Sequence, residues 1–264
     1  MNVLIVIPAR YASTRYPGKP LVNLQGPDGD KTLIRRTWDA AMRVAGAHHV
    51  VVATDDARIA THAAGFGAEI VMTSDTCRNG TERCAEVARA RPEADLIVNL
   101  QGDAPLTPPA FVEALLAGID ADPLAAIATP VLRCNGRALA GFRADRAAGR
   151  VGGTTAVFGP DHHALYFSKE VIPFVSGQFG TDDPTPVFHH VGVYAYRRAA
   201  LLAYADWPEG PLERLEGLEQ LRFLEQGKPV LCVEVDARGR EFWELNNPSD
   251  VGVIEAILAS QPVA

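Results

Sequence analysis

Residues 3–21 read VLIVIPARYASTRYPGKPL. Val3 to Ile7 form an apolar run with no polar alternation, the pattern of a strand buried on both faces of a parallel sheet. The character then reverses: Arg10, Arg15 and Lys19 stand among Pro8, Pro17 and Pro20, in a stretch too rigid and too polar for a core. A buried strand feeding a stiff cationic loop is what an α/β protein shows where it places a site at the C-terminal end of a strand.

Working outward, Thr32 to Ala45 has apolar residues near helical spacing, and Val50 to Thr54 is a second buried strand. Asp55 and Asp56 suit the N-terminus of a helix around Ile59 to Gly65, where the helix dipole favours negative charge. Glu69 to Met72 gives a third strand, Thr81 to Ala90 a helix with Thr81 as its N-cap, and Leu96 to Leu100 a fourth strand. Strand and helix alternating at this spacing predict a mostly parallel, doubly wound sheet. After about residue 129 the pattern changes to short strands such as Val191 to Tyr196, broken by Gly- and Pro-rich pieces at 149–153 and 174–186. A charged helix over Pro211 to Glu225, a strand at Val230 to Val235 and a helix from Pro248 to Leu258 complete the chain. The expectation is one domain with a core of residues 1–129 plus 230–264, an inserted lobe of 130–229, and one shared cleft.

The 264 residues are enough for a full core. A net charge of −7 argues against a general nucleic-acid or membrane-surface role, so any anion must be held by a local cluster. Cys77, Cys84, Cys134 and Cys232 have no CxxC spacing, which predicts neither a zinc site nor a disulfide framework but reduced thiols. No charged leader precedes the first apolar run, and no apolar stretch approaches the about 18 residues of a membrane span. A cytoplasmic protein is expected, with no nucleic-acid or membrane partner.

The opening loop fits neither standard nucleotide motif. A P-loop needs a glycine where Ser13 stands and a Ser or Thr where Pro20 stands, and GxGxxG is absent. What remains is a basic turn, either merely solvated or built to neutralise several phosphate oxygens with Arg forks and a mobile Lys ammonium, with Gly18 allowing close backbone approach. Gln101-Gly102-Asp103 follows the fourth strand. Alone, Asp103 is as readily a turn cap as a ligand; at a strand end facing a polyphosphate loop it suits Mg2+, which takes one or two carboxylates plus phosphate oxygens. Arg78-Asn79-Gly80-Thr81 opens a helix and is either a plain capping turn or a reader of a base edge.

Five stretches bear on these alternatives together: IPARYASTRYPGKPL, RNGTERCAEV, NLQGDAPLTPP, HVGVYAYR and LERLEGLEQLRFLEQGKPV. In order and spacing the chain resembles the 3-deoxy-manno-octulosonate cytidylyltransferases, the CMP-Kdo synthetases, over nearly its whole length. The resemblance implies a glycosyltransferase-A-like α/β fold with a smaller sugar-binding and dimerisation lobe, and a homodimer. It implies the reaction of CTP with a 3-deoxy-ulosonic acid, giving a CMP-sugar and pyrophosphate for lipopolysaccharide or capsule. It places the triphosphate on Arg10, Arg15 and Lys19, and the rest of the nucleotide near Pro8, Ala9, Arg78, Gly80, Gln101 and Gly102. Asp103 falls on metal, and Lys169, His190, Tyr194, Glu219 and Gln220 fall in the sugar pocket. His190 and Tyr194 are expected on one face of one strand.

The sequence departs from that family on the metal and sugar side. Asn246 occupies the position of an expected metal-ligating Asp, removing a negative charge that Glu244 is placed to restore. Ala104 stands where Glu is often found. Lys169 replaces an Arg, keeping the charge but losing the bidentate fork. The expected activity is therefore a Mg2+-dependent cytidylyltransferase acting on Kdo, with another 3-deoxy-ulosonic acid such as 8-amino-Kdo as the alternative acceptor. A nucleotide-sugar sensor without turnover is the reading from a different class.

Overall fold

The computed structural model describes residues 1–12, 16–103, 105–151, 153–238, 245 and 247–260. They fall into two compact units, Met1–Glu113 with Tyr196–Ala205 and Ala237–Ala264, and Ala114–Ala195 with Asp206–Asp236. In chain order the elements are β1 (Val3–Ala9), a 3-10 turn (Lys19–Leu21), the paired strands β2 (Asn23–Leu24) and β3 (Lys31–Thr32), α1 (Leu33–Ala41), β4 (His49–Thr54), α2 (Ala57–Gly65), β5 (Glu69–Met72), α3 (Gly80–Ala90), β6 (Leu96–Leu100) and α4 (Pro109–Ala121). There follow β7 (Ile127–Asn135), α5 (Gly136–Ala147), β8 (Thr154–Phe158), β9 (Ala164–Ser168), β10 (Pro184–His190), β11 (Val193–Arg197), α6 (Arg198–Asp206), α7 (Pro211–Glu216), α8 (Leu221–Glu225), β12 (Val230–Glu234) and α9 (Asp250–Ser260).

The first unit carries the parallel strands in the order β5-β4-β1-β6. Ile5 of β1 sits beside Val50 of β4 and Val98 of β6, and Ile5, Val6, Ile7 and Val98 are fully buried. β1 and β6 are covered on both faces, which is why they read as unbroken apolar runs rather than as alternation. The mixed α/β fold with a parallel core is thus the one the sequence predicts. A second cluster in this unit packs Leu24, Leu33, Leu106, Leu245, Ile254 and Ile257, tying α9 to the segment just after Asp103.

In the second unit β10 runs antiparallel to both β7 and β8, β8 antiparallel to β9, and β12 parallel to β7 with Val230 beside Ile127. That last pairing explains why Val230–Asp236 goes with this unit rather than with the first, where the sequence reading puts it, and the boundary expected at residue 129 falls between Glu113 and Ala114. Cys134, Leu139 and Val187 form a local core with Phe142, Val171, Val175 and Phe179 against them.

Three local expectations are corrected. The helix over Pro211–Glu225 is two short helices, because Gly217 closes α7 in the left-handed region at φ 61°. His190 and Tyr194 lie on different strands, since β10 ends at His190 and β11 begins at Val193. The N-cap of α3 is Asn79, whose side chain accepts from the Glu82 amide, while Thr81 is buried with its hydroxyl 2.7 Å from that of Tyr196.

Candidate functional site

At the end of β1, Pro8 and Ala9 still belong to the strand and Arg10 is exposed. Arg15 lies outside the described residues. The loop closes where the Gly18 amide donates to the Tyr11 carbonyl at 3.0 Å. Gly18 has φ 72°, and a Cβ there would meet the Tyr11 ring at 3.0 Å, so both conformation and space require glycine. The Arg58 guanidinium covers Tyr11 from 3.3 Å and pairs with Asp56. Locked in this way, the loop delivers Lys19 at the start of the 3-10 turn, with Nζ 2.7 Å from Oδ2 of Asp103. Their side chains are 15% and 24% exposed, so the pair stays within reach of solvent and of ligand.

Asp103 owes its place to the end of β6. A Cβ on Gly102 would come 3.0 Å from the Pro8 carbonyl oxygen, so the two backbones approach as closely as glycine permits. Thr37 of α1 donates its hydroxyl to the Leu33 carbonyl and, at 3.4 Å, to that of Gly102. The Leu245 amide donates to the Asp103 carbonyl at 2.9 Å. Leu245 thereby brings the C-terminal segment beside Asp103; Asn246, Glu244 and Ala104 lie outside the described residues.

The third edge is the start of α3. Asn79 accepts from the Glu82 amide at 2.8 Å and Glu82 reaches back to the Arg78 amide at 2.8 Å, a reciprocal cap of the helix end. Glu82 also binds the Arg78 guanidinium, which remains more than half exposed. A Cβ on Gly80 would lie 3.4 Å from Pro8 Cγ and 3.5 Å from Gln101 Nε2, so Pro8, Gly80, Gln101 and Gly102 converge. Lys19, Asp103 and these residues together offer a movable cation, a carboxylate and closely approaching backbone, a donor set suited to a phosphorylated ligand.

In the second unit the Tyr194 hydroxyl donates to Gln220 Oε1 at 3.1 Å, and the His190 and Tyr194 rings lie 5.6 Å apart. Gln220 is buried, yet its Nε2 has no hydrogen-bond partner. Both ring nitrogens of His190 lie 3.0 Å from threonine hydroxyls, Thr154 at Nδ1 and Thr129 at Nε2. Burial pushes its pKa down to about 3, with His189 beside it adding to the effect, so the ring is neutral. Lys169 is fixed through its backbone amide, which donates to Glu216, and its ammonium lies 2.9 Å from where a Cβ on Gly217 would stand. Glu219 sits between α7 and α8, two residues past that left-handed turn.

Sequence reading overlooked Asn99, fully buried in β6. Its signal was present as the one polar residue inside the run Leu96–Leu100. It also overlooked Tyr11 and Glu82, which hold Gly18 and Arg78, because neither role follows from local pattern.

A family model for cytidylyltransferases matches residues 4–230. The chain is 45% identical to a 3-deoxy-manno-octulosonate cytidylyltransferase of Maricaulis maris, covering 99% of this chain and 98% of that protein. It is 41% identical to one of Chlamydia pneumoniae, over 95% and 91%. Among solved structures it is similar to CMP:2-keto-3-deoxy-manno-octonic acid synthetase complexed with CTP, with a TM-score of 0.83, 35% identity and 98% of each chain covered. A 4-diphosphocytidyl-2C-methyl-D-erythritol synthase from Anaerococcus prevotii shares the fold, with a TM-score of 0.58 at 11% identity over 97% of this chain and 98% of that one.

Proposed function

Because the chain belongs to the cytidylyltransferases, and within them to the 3-deoxy-manno-octulosonate cytidylyltransferases, we propose that it joins CTP to Kdo, forming CMP-Kdo and pyrophosphate for lipopolysaccharide or capsule. The structural observation that carries this reading is Lys19 meeting Asp103 at the C-terminal ends of parallel strands, beside Gly102 and Gly80.

In the reaction the anomeric hydroxyl oxygen attacks the α-phosphorus as its proton passes to solvent, the bond to the bridging oxygen breaks, and pyrophosphate departs with the electron pair. Arg10, Arg15 and Lys19 neutralise the charge that moves onto it, and positioning does most of the rest. Pro8, Ala9, Arg78, Gly80, Gln101 and Gly102 border the nucleoside. Asp103 would hold Mg2+, with Asn246 as its sequence partner: its carboxylate stands beside Lys19 within reach of solvent, and such an ion takes one or two carboxylates and completes its shell with phosphate and water. When bound, that ion supplies Lewis-acid stabilisation of phosphoryl charge.

The sugar acid falls to Lys169, His190, Tyr194, Glu219 and Gln220 of the second unit. Gln220 Nε2 supports this reading, since a buried amide nitrogen without a partner is suited to a sugar hydroxyl. Exposed Leu165, Phe174 and Leu215 in the same unit favour a homodimer formed through it. On this reading the protein lies in the cytoplasm, and its four cysteines are thiols. No helix among the described residues is long and apolar enough to cross a membrane.

The test is pyrophosphate release from CTP and Mg2+ with Kdo, 8-amino-Kdo and related acids. Release with Kdo is expected. Release only with another acid would shift the acceptor, and CTP binding without release under any acid would sink the catalytic reading.

A further inference from the structure

Asn99 breaks the apolar run of β6, is fully buried, and has no hydrogen-bond partner at either Oδ1 or Nδ2. Each buried polar group left unpaired costs about 1–3 kcal/mol, and a β-branched apolar residue would serve the strand without that penalty. The amide is therefore unfavourable in the ligand-free fold, and its partner must be sought elsewhere. Its position indicates where. Nδ2 lies 3.3 Å from where a Cβ on Gly80 would stand, and the same point is within 3.5 Å of Pro8 and Gln101. The orphaned amide thus lies against three residues assigned to the nucleotide, packed so closely around Gly80 that a ligand reaches it only where Gly80 and Gln101 part.

A carboxamide presents one acceptor and one donor side by side, and such a pair matches an exocyclic amino group next to an unsubstituted ring nitrogen. Cytosine carries that pattern at its N4 amino group and N3. We propose that Asn99 is a specificity-determining residue of the nucleotide site, pairing with the amino and ring-nitrogen edge of the cytosine after a small opening between Gly80 and Gln101. The proposal rests on the CTP reading given above.

Binding of CTP and of UTP by calorimetry, and thermal unfolding with and without each nucleotide, test it in the wild-type chain and in Asn99→Leu. The variant should unfold at the same or a higher temperature than wild type when free, bind CTP at least tenfold more weakly, and lose most of the preference for CTP over UTP. Unchanged CTP affinity together with a lower unfolding temperature would overturn the proposal and leave Asn99 bonded to an internal water. Should the leucine variant not fold, Asn99→Thr keeps the strand preference with a single hydroxyl, and the same two outcomes decide. Wild-type protein that neither binds CTP nor releases pyrophosphate would overturn the functional reading and this proposal with it. Wild-type turnover with tight CTP binding in both variants would overturn this proposal alone.

Discussion

Lys19 and Asp103 attract each other across 2.7 Å, but neither is deeply buried, so the pair adds on the order of 1 kcal/mol or less to stability. Lys19→Ala should leave urea unfolding almost unchanged while lowering turnover by about a hundredfold, the scale of losing one charge-stabilising group. Equal turnover in the variant would remove Lys19 from the triphosphate site. Gly102→Ala is the steric counterpart. Its Cβ would press on the Pro8 carbonyl oxygen at 3.0 Å, a backbone atom of a strand held at this point by its pairing with Ala53 of β4. A loss of about 1–3 kcal/mol is expected in thermal unfolding, with a fall in turnover because Asp103 is displaced. Lys19 and Gly102 were legible because charge and glycine at a strand end carry meaning locally. Asn99 was not, because the absence of a hydrogen-bond partner exists only once the chain is folded.

At the scale of elements, the segment bearing Glu219 and Gln220 is held by a buried ion pair. Arg222 of α8 grips Glu213 of α7 through Nε at 2.6 Å and Nη2 at 2.7 Å, with side chains 1% and 5% exposed. Arg222→Met strands a buried carboxylate and should destabilise the chain by about 3–5 kcal/mol, measured by urea unfolding, whereas Glu213→Leu with Arg222→Met should recover most of it. If Gln220 binds the sugar acid, the double variant should raise KM for that acid more than it changes kcat. The charged stretch here was legible as helical, but the break was not, because a glycine inside a helical pattern is common and only its left-handed φ reveals the stop. In the first unit, by contrast, β6 matches its expected span residue for residue, since a strand covered on both faces leaves an unbroken apolar record, and β5 matches too although it is an edge strand with exposed ends.

For the molecule as a whole, acidity is the sensitive variable. Burial pushes His190 to about 3 and, with Arg146 adding to it, His189 to about 4. Between about pH 6.5, where an exposed histidine titrates, and these values, the unfolded chain binds protons that the folded chain refuses, so stability rises with pH across that window. Urea midpoints should fall steadily from pH 7 to pH 5, and His190→Asn should flatten that slope even though its midpoint at pH 7 is lower. A slope unchanged by the substitution would mean that His190 titrates normally. Asp28 acts lower on the scale: burial opposes its ionisation, but hydrogen bonds from Lys31 and Arg36 prevail and hold it at about 2, so its contribution persists until the medium is strongly acidic.

The Arg222 and Glu213 pair has one more consequence, in the history open to this chain. Either residue lost alone leaves an uncompensated charge in the interior, while both lost together are tolerated. Single-step drift is therefore blocked at these two positions. Across a lineage they should be retained together or replaced together by apolar residues, so that intermediates carrying only one of them are scarce.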